Sequence, residues 1–163
     1  MTISNKKYFQ EDLNNDVTGN KWQIMLSSVI EKANFLEFTI GTVDSKVEIV
    51  SKISEAKRHI QHLGISKQLV NLYSTNIYFQ RKYPFHYIIA RLSIDAELKI
   101  KIISYKTLLD FVIKKDADIF NPAFYFNDSA LLWTNTTMGF ANILITEKQR
   151  SLWIKQGFIL NKI

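Results

Sequence analysis

Residues 85–102 read FHYIIARLSIDAELKIKI, and the choice of fold turns on how this stretch is divided. Phe85–Ile94 is rich in β-branched and aromatic residues and suits a strand. In the second part Leu98, Ile100 and Ile102 alternate with Glu97, Lys99 and Lys101, the period of a half-buried strand. Only Asp95 and Ala96 separate the two, so the pattern predicts an antiparallel hairpin.

Upstream, Asn20 stands three residues before Gln23 as a helix cap pair, and Trp22, Met25, Leu26, Val29, Ile30 and Ala33 follow at helical spacing. A helix is expected near 21–33, then a short strand from Phe35 to Ile40 that Gly41 ends. Ser45 and Glu48 have capping-box spacing, and Ile49, Ile53, Ala56, Ile60 and Leu63 form one apolar stripe closed by Gly64. That predicts a helix over 45–63. Residues 66–80 suit helix by spacing and strand by composition.

Downstream, Ser104 or Thr107 would cap a helix carrying Leu108, Leu109, Phe111, Val112 and Ile113, which Asn121-Pro122 breaks. Ala130–Thr134 and Phe140–Ile145 read as strands, and Thr146 with Gln149 caps a last helix ending at Gly157. The expected fold is therefore α+β: a single domain over 20–163, with an antiparallel or mixed sheet of about five strands and helices packed on it. A ββα–ββα pseudo-repeat is expected in the C-terminal half, and residues 1–19 read as a loosely ordered N-terminal arm.

The chain of 163 residues is 47% apolar and 22% charged, ordinary values for a globular protein able to bury a core unaided. It has no cysteine, which excludes disulfides, thiolate metal sites and a cysteine nucleophile. No run of apolar residues exceeds four and the N-terminal stretch lacks an apolar signal region, so a cytoplasmic protein without membrane insertion is expected. Ile (22), Lys (17) and Asn (12) outweigh Arg (4), as AT-rich coding would give. Five glycines, no two closer than 18 residues, exclude a P-loop and a dinucleotide fingerprint.

The net charge of +6 sits entirely within 45–91, where eight cations face Glu48 and Glu55 alone. Such a region would attract an acidic partner, although solvated lysines of an AT-rich gene give the same count. Inside it, Arg81, Lys82, Tyr83, Phe85, Tyr87 and Arg91 place alternating aromatics beside cations on a predicted strand, with Lys57 and Arg58 on the preceding helix. Tyr, Phe and Arg are favoured anchors of protein interfaces, and the same groups can stack unpaired bases.

Three weaker constellations have ordinary explanations. Glu55, His59 and His62 fall within roughly 60° on one helix face and could hold a metal, but that face lies mostly opposite the apolar stripe and reads as solvated. Glu97 and Lys99 match the E-x-K of metal-dependent nucleases, without a second carboxylate on the preceding strand. Asp116 and Asp118 form a D-x-D beside Lys114 and Lys115, as a solvated helix end does. The expectation is a non-catalytic protein-binding protein with no cofactor and no metal. Its candidate partner is a bacterial toxin, neutralised by occlusion as an immunity protein or antitoxin does. The alternatives are a nucleic-acid-binding module on the basic aromatic strand and a metal-dependent nuclease or hydrolase.

Overall fold

The computed structural model describes residues 5–79, 81–113 and 119–163. Its centre is one open antiparallel sheet of eight strands: β1 (Lys6–Asp12), β2 (Phe35–Val43), β3 (Leu69–Tyr78), β4 (Arg81–Ser93), β5 (Phe120–Phe126), β6 (Ser129–Asn135), β7 (Phe140–Thr146) and β8 (Asn161–Lys162). Their order across the sheet is β3-β4-β2-β5-β6-β7-β1-β8. The helices are α1 (Asn20–Ile30), α2 (Ile49–His62), α3 (Ala96–Ile103), α4 (Asp110–Ile113) and α5 (Glu147–Ile154).

The expectation of about five strands is thus too low, and the deciding stretch is where it fails. Residues 85–93 do form a strand, but 96–103 form α3 instead of its hairpin partner. Leu98 and Ile102 fit period two and an i,i+4 helical pair equally well, so only Ile100 distinguishes the readings. It is 72% exposed, whereas Leu98 and Ile102 are each 1% exposed. The cap decides the outcome: the Asp95 carboxylate accepts the Leu98 amide at 2.8 Å, and Glu97 and Lys101 lie at the ends that suit the helix dipole. With that strand gone, the ββα–ββα pseudo-repeat has no first unit.

Four strands come from segments read otherwise. Residues 6–12, placed in the loosely ordered arm, pair with β7 over seven positions and with β8 over two. The ambiguous 66–80 segment yields β3 after a short 3₁₀ turn. Asn121-Pro122, read as a helix breaker, lies inside β5; Asn121 takes a left-handed φ of 52°, and the register with β2 shifts between Glu37 and Thr39. That irregularity accommodates a proline without costing a ladder bond. Gly41 likewise does not end β2 but sits at a bulge against β4.

Caps follow the sequence in part. Thr146 and Gln149 close a complete capping box on α5. Ser45 accepts the Val47 amide at 3.2 Å and heads a 3₁₀ turn, with α2 beginning afterwards. At α1 the pair Asn20/Gln23 is not used; the Asp16 carboxylate accepts the Lys21 and Trp22 amides instead. Gly19 precedes them with φ 75°, and a Cβ there would lie 1.9 Å from the Lys106 carbonyl oxygen, so only glycine lets these segments meet.

The helices share one face of the sheet. Trp22, Met25 and Leu26 of α1, Ile60 of α2, Leu98 and Ile102 of α3, Phe111 of α4 and Trp153 of α5 belong to one apolar cluster with Phe9, Leu36, Phe38, Ala90, Leu92, Phe124, Leu132, Ala141, Ile143 and Ile145. On this side Glu11 is fully buried, paired with Lys21, and accepts the amides of Ile159 and Leu160 at 2.8 and 2.9 Å. The strand residues between those just named point to the opposite face, which no described helix covers. No described helix is long and apolar enough to cross a membrane.

Candidate binding face

The uncovered face is built from the odd-numbered residues of β4 outward. The rings of Tyr83, Phe85 and Tyr87 touch one another with centroids 5.1 to 5.4 Å apart. Positions i and i+4 of a straight strand lie about 13 Å apart, so the three form a cluster on a bent segment and not a simple alternating row. Tyr78 continues the series 4.9 Å from Tyr87, and Phe79 lies 4.5 Å from Tyr78. Phe79 then stacks on Trp133 of β6, centroids 4.2 Å apart and planes 15° from parallel, and Trp133 meets Phe140 at 6.1 Å. Seven ring contacts thereby run from β4 to β7.

The hairpin between β3 and β4 makes this possible. Its register shifts between Thr75 and Ile77, with residues 83–86 of β4 unmatched, so the tip leaves the plane of the ladder. Phe79 adopts φ 45°, a left-handed conformation that costs a non-glycine residue roughly 1–2 kcal/mol. The Tyr78 hydroxyl reaches the Asn121 carbonyl at 3.4 Å, which ties the tip to β5.

Beneath the rings lies a second, polar layer. Glu37, 6% exposed, receives Arg91 Nη1 at 2.9 Å and the Tyr73 hydroxyl at 3.1 Å. The Arg91 guanidinium stands 4.2 Å over the Phe35 ring and 5.2 Å from Tyr125, and also donates to the Asn127 carbonyl. Arg91 is thus a fastened part of the face and not a free cation. Among the described residues both amide atoms of Asn142 are buried here without partners, and Asn142 stands opposite Trp133 in the ladder.

Burial raises the hydroxyl pKa of Tyr73, Tyr78 and Tyr125 well above the ordinary value, and the nearby Glu37 charge adds to the effect. A raised pKa means that the folded chain keeps protons which the unfolded chain releases above pH ~10, so stability falls as pH rises through that point. Absorbance titration of the seven tyrosines should show a subset ionising only together with unfolding. Reversible ionisation of all seven at ordinary pH would contradict the buried layer.

The structure divides the predicted site residues into two groups. Tyr83, Phe85, Tyr87 and Arg91 share the uncovered face, and Arg81 and Lys82 are exposed at the hairpin tip. Lys57 and Arg58 are exposed on α2, which packs on the other side of the sheet. The basic stretch 45–91 is therefore contiguous in sequence but not one surface. Phe79, Trp133, Phe140, Glu37, Tyr73 and Tyr125 complete the face and escaped the sequence reading. One signal was present: Glu37 and Arg91 are lone charges within apolar strands, and such charges need each other.

Elsewhere, Glu55 is exposed as expected, whereas His59 is partly buried. With Lys52 they line a cavity of about 400 Å³ between α2 and the β2 bulge, floored by Ile40, Ala56, Ile88 and Phe120. His62 is exposed and outside it. Among the described residues no three His, Asp or Glu side chains are grouped to hold a metal. Glu97 and Lys99 lie on α3 and pair separately with Lys67 and Glu31, so they do not form the strand-borne E-x-K arrangement. Asp116 and Asp118 lie outside the described residues. No protein-family model, curated protein or solved structure matches the chain.

Proposed function

We propose that this is a protein-binding protein that engages its partner through the uncovered aromatic face. The observation that carries the reading is the ring series from Phe85 to Phe140 on a sheet face without a covering helix. Phe35, Tyr73, Tyr78, Phe79, Tyr83, Phe85, Tyr87, Tyr125, Trp133 and Phe140 are all partly exposed. Large aromatics held rigid by one another lose little conformational freedom on binding and are favoured interface anchors. The Glu37–Arg91 pair neutralises the polar layer, while Arg81 and Lys82 leave a basic margin at the tip. The matching partner surface has an apolar centre and a carboxylate rim.

Neutralising a toxin by occlusion, as an immunity protein or antitoxin does, is the activity such a face suits best, because occlusion requires complementarity and no chemistry. The nucleic-acid reading is weaker, since it needed the α2 cations beside the aromatic strand. Native capture from the source lysate, with nuclease and high salt, identifies the binding partner. Tyr83→Ala or Phe85→Ala should then weaken binding to that purified partner by more than ~1 kcal/mol, while Lys57→Ala and Arg58→Ala leave it unchanged. The reverse pattern, with steep loss in salt, would transfer the function to nucleic acid.

A further inference from the structure

The two edges of the sheet are unlike. The β8 edge is two residues long and carries Lys162, a short and charged edge of the kind that discourages further pairing. The β3 edge is ten residues long, and its sequence LVNLYSTNIY contains neither a charge nor a proline. Its ladder with β4 is regular from Asn71 to Thr75, between two register shifts. Among the described residues no strand lies on its other side. Alternate residues of this run therefore present backbone N–H and C=O groups outward, where each seeks a partner.

We propose that the chain forms a two-fold symmetric dimer by antiparallel pairing of the β3 edge, centred on Asn71–Thr75, with the same edge of a second copy. Five residues are about the usual length of a sheet pairing. A second copy fits for a chemical reason. Antiparallel pairing about a two-fold axis sets each residue against one from the same short run, so any charge in it would meet a like charge at close range. A run without charges pairs with itself at no such cost. The axis stands perpendicular to the sheet, because opposed residues of an antiparallel pair share a face. Both aromatic faces would then lie on the same side of a sixteen-stranded sheet, with their Tyr73 rings flanking the seam. This goes beyond the binding role above and does not depend on it.

Sedimentation over a concentration series reaching high micromolar should show a monomer–dimer equilibrium for the purified chain. Asn71→Lys/Thr75→Lys should raise the dimer dissociation constant at least about tenfold, with the far-ultraviolet spectrum unchanged. Asn71→Glu/Thr75→Glu should do the same, and mixing the two variants should restore the dimer. Amides of 71–75 should gain hydrogen-exchange protection as wild-type concentration rises. A wild-type monomer throughout the series would overturn the proposal, as would a dimer indifferent to both double variants. Protection of 71–75 that appears only when a purified binding partner is added would assign the edge to that partner instead.

Discussion

Replacing Arg91 by alanine should cost the fold about 3 kcal/mol, read as a lower urea midpoint at unchanged slope. The guanidinium touches Glu37, Phe35, Tyr125 and the Asn127 carbonyl at once, so its removal leaves a carboxylate that is 6% exposed without its cation. Most of the loss is that uncompensated charge and not the pair's net worth. Arg91→Met combined with Glu37→Leu should therefore cost less than Arg91→Ala alone. If the double variant is the less stable of the two, the layer is held by its geometry and not by electrostatics.

Phe79→Ala should have the larger effect on binding. Without the stack on Trp133 the hairpin tip loses its main hold on β6, and Arg81, Lys82 and Tyr83 lose their fixed position with it. Affinity for the partner should fall at least tenfold, about 1.4 kcal/mol. Comparison with Phe79→Gly separates two contributions. Both variants delete the ring, but glycine also removes the cost of φ 45°, so it should be more stable than the alanine variant by up to ~1 kcal/mol. Equal stability would mean that the tip relaxes out of the left-handed conformation once the ring is gone.

Legibility in the sequence followed the range of the interaction that decides each element. The helices carrying Trp22–Ile30 and Ile49–Ile60, and the last cap at Thr146/Gln149, rest on contacts within four residues and were readable. The stretch 96–103 was not, because Leu98 and Ile102 satisfy two periods and the Asp95 cap was the only local arbiter. Strands β1 and β5 were missed for a different reason. Their residues become strand-like through partners far away in the chain, such as Ile143 for Phe9 and Leu36 for Phe124. The same limit applied to the face. Alternation could group Tyr83, Phe85 and Tyr87 but not the bend that brings all three rings together, and nothing near Trp133 announces that Phe79 will lie on it.

The position of β1 has a consequence for biosynthesis. Phe9 is made well before its neighbours in the sheet, Ile143 and Lys162. At ~5–20 residues per second the segment waits roughly seven to twenty-seven seconds before either exists. During that interval β2, β4, β5 and β6 can assemble, leaving the outer side of β6 open for β7. The sheet is thus closed by segments far apart in the chain, and the Glu11 carboxylate that grips the Ile159 and Leu160 amides acts as the latch. A nascent chain stalled before residue 140 would carry an unpaired apolar strand on a nearly finished sheet, the state in which chaperone demand and misassembly should be greatest.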